Sequence, residues 1–252
     1  MTSMDTFRKL LKADRWDEWA GSETDQKKKA PPPSPQKSYP KEATLIDLIT
    51  PQDLKIGRLP LIEAIGRRKS RRKFTEEFLT LEELSFLLWA TQGVREVSSD
   101  GASTKRTVPS GGSRHPFETY LAINRVHGIE PGLYRYLPLD HKLYLLWTNP
   151  ELANQVKDAC RGQVSVGQGA VVFIWTTIPY RAEWRYSFVA HKMIALDAGH
   201  LCQNLYLAAE AVGAGVCAIG AYNQDKMDRL IDVDGQEEFV IYAAPVGKKP
   251  NE

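Results

Sequence analysis

The stretch Thr107-Val-Pro-Ser-Gly-Gly-Ser-Arg-His-Pro-Phe117 organises the rest of this chain. Two prolines, two glycines and two serines within eleven residues are typical of a loop, and strand-forming residues follow it directly. Gly111 and Gly112 allow positive φ and the close approach of a ligand, while the serines, Arg114 and His115 supply polar groups. The residues leave two interpretations open: a loop that contacts a ligand with a planar polar edge, or a tight connection that binds nothing.

The composition limits the class of protein. The 252 residues suffice for one large domain or two small ones, and a net charge of +2 predicts neither a nucleic-acid nor a membrane partner. Cys160, Cys202 and Cys217 form no CxxC motif, which argues against a zinc site and a disulfide framework and fits a reducing cytoplasm. The N-terminus lacks the apolar core of a signal peptide, and no run of about 18 apolar residues could span a membrane. We therefore expect a cytoplasmic protein without a metal centre.

The first 57 residues differ in character from residues 58–252, which we expect to form the main domain. Residues 4–20 predict one short amphipathic helix that carries Trp16 and Trp19. Residues 21–42 are rich in lysine and proline, so they predict an extended arm. The helix before this arm docks either on the body of the protein or on a second subunit, and the sequence leaves both options open.

A dense basic run is the second unusual feature. Residues 59–65 predict a short helix with Pro60 in its first turn, and six of the seven residues 67–73 that follow are basic. Such a run is typical of a solvated face or a nucleic-acid patch. Here it lies between two helical patterns instead of in a tail, and acidic residues elsewhere nearly cancel its charge. These facts favour an anion site, with phosphate as the expected ligand.

The middle of the chain predicts a helix followed by a sheet. Thr80 and Glu83 form a capping box for a helix through Val94, and the polar residues 95–106 predict a loop. Residues 170–177 are almost all apolar, which is typical of a central strand. The other predicted elements are strands over 118–124, 132–136, 143–147 and 238–244, and a helix over 150–161.

A long helix over 191–212, about 33 Å in length, is apolar nearly all round and is expected to be buried inside the domain or in a dimer interface. Asp197 and His200 share one face of it, so they form either a catalytic pair or structural hydrogen bonds. After a Gly213 C-cap, small and apolar residues through Ala221 let the backbone lie against a flat ligand.

Three ordered stretches resemble the FMN-dependent nitroreductase family: residues 68–74 (RKSRRKF), residues 109–117 (PSGGSRHPF), and residues 213–223 followed by Pro245-Val-Gly247. Residues 110–116, 132–136 and 196–205 are similar to the SagB/ThcOx-type branch, which includes oxidases that aromatise azoline rings in ribosomal peptides. The resemblance covers roughly residues 58–247 and is collinear.

The resemblance implies an α+β fold with a central, mostly antiparallel sheet wrapped by helices. It also implies a domain-entwined homodimer with two FMN sites at the subunit interface. By position, the phosphate and ribityl chain are assigned to Arg68, Lys69, Ser70 and Arg72, with Lys248 reaching the phosphate. The residues assigned to the flavin ring are Pro109, Ser110, Gly111, Ser113 and His115. They belong either to the subunit that holds the phosphate or to the other subunit. Backbone N–H groups of Ile219, Gly220 and Ala221 are assigned to the flavin edge near N5.

The resemblance also implies hydride chemistry, which belongs to the flavin while the protein supplies orientation and charge. Azoline oxidases carry a Lys-Tyr pair where this chain has Arg185 and Tyr186, and an arginine stays protonated where a lysine can serve as a base. We therefore expect ping-pong transfer from NADH or NADPH to a nitroaromatic, quinone-like or other conjugated acceptor, with Tyr186 as proton donor. The alternatives are an azoline-type dehydrogenase or oxidase and, from another class, a nucleic-acid-binding module that uses residues 67–73.

Overall fold

The computed structural model describes residues 4–250 of the chain. The helices in this range are α1 (Met4–Lys9), α2 (Trp16–Gly21), α3 (Leu61–Arg67), α4 (Leu81–Gln92), α5 (Leu152–Ala159), α6 (Val164–Gln168), α7 (Tyr180–Tyr186), α8 (Ala190–Ala211) and α9 (Gln224–Leu230). The strands are β1 (Leu45–Asp47), β2 (Val94–Val97), β3 (Thr104–Arg106), β4 (Phe117–Ile123), β5 (Gly132–Leu137), β6 (Lys142–Thr148), β7 (Val171–Thr177), β8 (Ala214–Val216) and β9 (Phe239–Lys248).

One sheet of seven strands forms the centre of the fold. Its order is β1-β6-β5-β4-β7-β9-β8, and every neighbouring pair is antiparallel. Strand β7 lies between β4 and β9, so the central position predicted from its apolar run is confirmed. The four other predicted strands are also present, and the last of them continues to Lys248 because it pairs with β8 at this end. The predicted α+β class with a mostly antiparallel sheet is confirmed.

Helices cover both faces of this sheet. Successive side chains of a strand point to opposite faces, and in β7 Phe173 and Trp175 join one apolar cluster while Val172 and Ile174 join the other. Helices α4 and α8 pack on the first face, and α5 and α9 pack on the second. The sheet is therefore a middle layer, and α8 lies where its side chains can support loops from several elements.

The predicted helix starts depend on local chemistry that the structure confirms. The Thr80 hydroxyl accepts a hydrogen bond from the Glu83 N–H at 3.1 Å, and the Glu83 carboxylate accepts one from the Thr80 N–H at 2.9 Å. Helix α4 therefore begins with the predicted capping box. Helix α8 spans 22 residues, one residue away from the predicted bounds at each end. Within residues 4–250, no helix combines the length and apolar composition that crossing a membrane requires.

Two local predictions were wrong. The expected single helix over 4–20 is divided into α1 and α2, and the break lets α2 turn Trp16 and Trp19 onto α7. The expected loop over 95–106 contains the hairpin β2–β3. Arg106 at its end is fully buried and donates hydrogen bonds to Gln92 at 2.9 Å and to the Pro35 carbonyl at 2.8 Å. Both differences result from contacts between residues distant in sequence.

The N-terminal arm lies along the body of the protein. The Lys37 N–H donates to the Glu118 carboxylate at 2.8 Å, and Arg181 donates to the same oxygen at 2.6 Å. The side chains of Arg181 and Glu118 are 3% and 2% exposed. Lys37 also forms an ion pair with Glu238 at 2.6 Å. Beyond the arm, β1 becomes an edge strand of the sheet, so residues 37–47 pack on the same layered structure.

Glu118→Ala is expected to lower the free energy of unfolding by about 3–5 kcal/mol, because it leaves Arg181 buried without its partner. The matched control is Glu96→Ala, whose partner Lys105 is at 2.7 Å in a pair with 63% and 59% exposed side chains. This control is expected to cost about 0–1 kcal/mol. Urea unfolding followed by circular dichroism measures both. Equally small losses of unfolding free energy for the two variants would show that the pair of Glu118 and Arg181 does not hold the arm.

Candidate functional site

The basic run and the segment after α8 meet in the fold. Ser70 forms an isolated parallel bridge with Val216, and the Arg71 N–H donates to the Val216 carbonyl at 2.8 Å. The hydroxyls of Ser70 and Tyr206 are 3.0 Å apart, and the Tyr206 hydroxyl accepts a hydrogen bond from the Ala218 N–H at 2.8 Å. Tyr206 was not among the sequence candidates. It links the two stretches because it lies on the side of α8 that faces both.

The predicted phosphate ligands differ in their surroundings. The Arg68 guanidinium lies 5.5 Å from the centre of the Tyr206 ring, and Lys69, Ser70 and Arg72 are exposed. Within residues 4–250, neither Arg68 nor Arg72 has a carboxylate within 4 Å. Arg71, by contrast, has a side chain that is 9% exposed and binds Glu210 at 3.2 Å. Among the described residues of the run, Arg68, Arg72 and Lys73 have no carboxylate partner, and of these Arg68 lies at Tyr206.

Lys248 lies at the same end of the sheet but already has partners. Its ammonium group binds the Glu83 carboxylate and is 3.5 Å from the Val212 carbonyl at the end of α8. The neighbouring Lys249 binds Glu210 at 3.0 Å. A ligand phosphate at Lys248 would share this cation with Glu83.

The segment assigned to the flavin edge divides into a buried and an exposed part. Ile219 is buried, and its N–H donates to the Ala243 carbonyl at 2.7 Å, so the sheet uses this amide. Gly220 and Ala221 are exposed. A Cβ added at Gly220 would meet nothing within 4 Å, which leaves open space beside the backbone. Gly220 and Ala221 are therefore the members of this trio that a ligand can reach.

Asp197 fixes the loop over residues 109–115. This carboxylate on α8 accepts hydrogen bonds from the Ser110 hydroxyl at 2.6 Å and from the Gly111 N–H at 3.0 Å. Burial raises the pKa of Asp197, while the two hydrogen bonds act in the opposite direction. His200 is 3.7 Å from its other oxygen and is half exposed. Of the two interpretations of the Asp197 and His200 pair, the geometry supports structural hydrogen bonding.

The loop contains three residues with left-handed backbone. Gly112, Ser113 and His115 have φ values of 57°, 55° and 42°. The imidazole of His115 is buried, and its Nδ1 has no hydrogen-bond partner among the described residues. Burial lowers the pKa of His115 to about 3, and the nearby charge of Arg106 acts in the same direction. His115 is therefore neutral and enclosed, whereas Pro109 is exposed and Ser113 is partly exposed.

The predicted catalytic pair packs directly on this loop. A Cβ added at Gly112 would lie 2.6 Å from the Tyr186 hydroxyl and 2.8 Å from Arg185 Cδ. Only glycine leaves room for these two side chains, so this position explains the requirement for Gly112. The Arg185 guanidinium lies 5.6 Å from the centre of the Tyr186 ring. Tyr186, Arg185 and the loop thus form one group at the first half of α8.

The two groups of candidate residues lie at different positions along the axis of α8. Asp197 marks the loop group, and Tyr206 marks the group around the basic run. Nine residues separate them on one helix, which corresponds to about 13 Å. The chain therefore carries two separate groups of candidate residues, one with the loop and Tyr186 and the other with the cations and residues 216–221.

Known proteins share this arrangement of sequence and fold. A model of the nitroreductase family matches residues 65–248. The nitroreductase homologue MJ1384 of Methanocaldococcus jannaschii is 28% identical over 194 residues, which are 77% of this chain and 93% of that protein. The trifolitoxin-processing protein TfxB of Rhizobium leguminosarum bv. trifolii is 27% identical over 60% of this chain, and the match spans 42% of TfxB. The solved structure of a nitroreductase homologue from Ralstonia eutropha JMP134 has a TM-score of 0.68, 26% identity, and coverage of 88% of this chain and 95% of its own.

These comparisons agree with the three stretches from which the family was predicted. The matched range includes the basic run, the loop over 109–117 and the segment after α8. The similarity to TfxB agrees with the resemblance to the peptide-modifying branch. The family model covers well over half of the residues, and the chain belongs to the nitroreductase family of oxidoreductases.

Proposed function

We propose that the chain binds FMN and catalyses ping-pong hydride transfer from NADH or NADPH to a nitroaromatic, quinone-like or other conjugated acceptor. The observation that supports this proposal is the junction of Ser70 with Val216, which joins the basic run to the segment that continues to the open backbone at Gly220 and Ala221. The chemistry that bound FMN supplies is hydride transfer, from the nicotinamide in one half of the reaction and to the acceptor in the other. The chain supplies binding, orientation and charge.

The residues present fit a flavin phosphate. A phosphate dianion requires cations that the fold has not already neutralised. Among the described residues of the run, Arg68, Arg72 and Lys73 meet this requirement, and only the two arginines offer the forked geometry that matches phosphate oxygens. Ser70 adds a hydroxyl on the same side, held by Tyr206. Lys69 and Lys248 add positive charge nearby. The open space at Gly220 suits the close approach of a flat ring.

We propose that two chains complete each site. The loop group and the basic group lie about 13 Å apart along α8, which suits a cofactor whose ends contact different subunits. Apolar side chains of α3 and α8 remain uncovered: Leu61, Ile62, Ile65 and Leu196 are 64%, 80%, 58% and 55% exposed. Exposed apolar side chains of this kind are typical of an interface. In the proposed homodimer, the loop of one subunit then faces or supports the flavin that the other subunit holds. The residues of this loop are Pro109, Ser110, Gly111, Ser113 and His115.

Tyr186 and Arg185 are proposed to serve the acceptor. The Tyr186 hydroxyl lies against the Gly112 backbone, so it is placed at the predicted flavin loop and can donate a proton to a reduced acceptor. Arg185 carries a guanidinium group, which is a delocalised cation. It can balance negative charge on the acceptor, and it is a poor proton acceptor. This difference in chemistry favours reduction of an acceptor over base-assisted oxidation of an azoline.

The similarity to TfxB supports a second candidate function. TfxB is a trifolitoxin-processing protein, and an activity on a peptide-derived heterocycle is therefore the runner-up. A nucleic-acid-binding role for residues 67–73 has less support, because Arg67 binds Glu63 and Arg71 binds Glu210. These two cations serve the fold, so the run does not form one continuous solvent-facing basic surface.

Arg68→Ala and Arg72→Ala are expected to weaken FMN binding at least tenfold, because each removes a charge-assisted contact worth about 1.5–3 kcal/mol. Riboflavin, which lacks the phosphate, is expected to lose much less affinity. Lys73→Ala removes an exposed cation from the same run and serves as the control. Fluorescence titration of apoprotein with both flavins measures the effect. Equal losses of affinity for FMN and riboflavin would show that these arginines have a structural role and do not bind the phosphate.

The proposed dimer predicts a sedimenting mass of about twice 28.4 kDa at micromolar concentration. Ile62→Asp places a charge on the exposed apolar surface and is expected to produce monomers that bind FMN weakly. Leu139→Asp is the control, because Leu139 is a 41% exposed apolar residue outside this surface. Sedimentation velocity with absorbance at flavin wavelengths reports both mass and cofactor. A monomeric wild-type chain that retains FMN would contradict the shared site.

Tyr186→Phe is expected to slow acceptor reduction at least tenfold, in line with the loss of a general acid, and to slow flavin reduction by NAD(P)H much less. Stopped-flow absorbance separates the two half-reactions. Arg185→Lys retains a cation and is expected to keep reductase activity.

The same preparations test the runner-up function. Mass spectrometry of a thiazoline peptide detects the loss of two daltons that oxidation produces. Little turnover by the wild type is expected. Rapid azoline oxidation without NAD(P)H consumption would reverse the ranking of the two functions.

A further inference from the structure

The short helix α2 lies against the candidate catalytic pair. The ring centres of Trp16 and Trp19 are 6.1 Å and 6.0 Å from that of Tyr186, and the two indoles are 5.2 Å apart with nearly perpendicular planes. The Trp19 Nε1–H donates to the Arg185 carbonyl at 3.4 Å. Trp16, Trp19 and Tyr186 therefore form one aromatic cluster beside the loop at Gly112. Helix α2 lies outside the range that the family model matches.

The arm is anchored by residues that follow α2. The Gln26 N–H donates to the Trp184 carbonyl at 2.9 Å, and the Trp184 indole donates to the Ala30 carbonyl at 3.0 Å. Further along, Lys37 is bound to the buried Glu118. These contacts hold the arm on α7 and the sheet through residues that follow the two indoles, and the Trp19 indole adds one long hydrogen bond to the Arg185 carbonyl. The arm therefore has anchors of its own besides the aromatic faces of Trp16 and Trp19.

The indoles of α2 are only partly covered. No residue of α2 is buried, and Trp16 remains 37% exposed. A tryptophan that serves as an anchor normally buries most of its large apolar surface, since this surface provides the stabilisation. Here part of the Trp16 surface stays open, in a cluster with the ring of Tyr186. An open aromatic surface at a reacting group is suited to stacking against a flat ligand.

We propose that Trp16 and Trp19 form the aromatic wall of the substrate site and determine its preference for planar conjugated acceptors. This inference rests on the proposed function, because it takes Tyr186 as the group that meets the acceptor. A planar acceptor lies against the indoles with its polar atoms toward Tyr186 and Arg185. The N-terminal segment thus contributes substrate specificity to a domain whose cofactor contacts come from residues after 65.

The binding of 1,4-naphthoquinone to oxidised, flavin-loaded protein tests this wall without turnover. Equilibrium dialysis is carried out with no electron donor. Trp16→Leu and Trp19→Leu are each expected to raise the Kd for naphthoquinone about threefold to tenfold, as loss of one aromatic contact predicts. Trp16→Phe and Trp19→Phe retain a ring and are expected to recover most of the affinity. Phe7→Ala, at a 53% exposed aromatic residue of α1, is the control and is expected to leave the Kd unchanged.

The outcomes separate the wall from the proposed function. The proposed aromatic wall is contradicted if the flavin-loaded Trp16→Leu and Trp19→Leu variants bind naphthoquinone as tightly as the wild type. The wall would also be contradicted if the leucine variants, the phenylalanine variants and Phe7→Ala all weakened naphthoquinone binding equally. The effect would then not depend on an aromatic ring at positions 16 and 19. A colourless wild-type protein that takes up no FMN would instead overturn the proposed function, and its absorption spectrum shows this before any dialysis.

Discussion

The buried carboxylate of Asp197 is the constraint on which the candidate site depends. A carboxylate removed from water requires donors, and Ser110 and Gly111 supply them at 2.6 Å and 3.0 Å. The loop cannot leave α8 without leaving this group unpaired. Its position brings Gly112 against Tyr186, and Tyr186 in turn contacts Trp16 and Trp19. One hydrogen-bonded acid on one helix thus determines where four elements of the chain meet.

The same helix supports the second group of candidate residues, around the basic run, with another buried acid. Glu210, in the last turn of α8, binds Arg71 at 3.2 Å and Lys249 at 3.0 Å. It therefore fastens the basic run and the end of β9 to the same point. Because α8 is one continuous helix, the distance between its two acids is fixed, and so is the distance between the two groups of candidate residues. A rigid element that carries both supports holds these groups at a constant spacing.

Local signals in the sequence predicted most of the fold. The capping box of Thr80 and Glu83, the apolar run of β7 and the spacing of α5 are short-range patterns, and each element formed near its predicted bounds. The partners of individual side chains were not predictable in this way. Glu83 belongs to the capping box, but its second oxygen binds Lys248, a contact that spans most of the chain. The break between α1 and α2 has the same origin, because contacts of Trp16 and Trp19 with Tyr186 outweigh the local helical pattern.

The candidate site shows the same limit in the basic run. Counting cations predicted an anion site but treated the six basic residues as equivalent. The parallel bridge of Ser70 with Val216 gives the run a local strand conformation, in which successive side chains point to opposite sides. Arg71 points inward to Glu210, whereas Arg68 and Ser70 both lie at Tyr206. Alternation then assigns Arg72 to the side of Arg68 and Lys69 to the side of Arg71. The backbone therefore separates Arg71, which binds Glu210, from Arg68 and Ser70 at Tyr206. This separation favours Arg68, Ser70 and Arg72 over Lys69 in the proposed phosphate site.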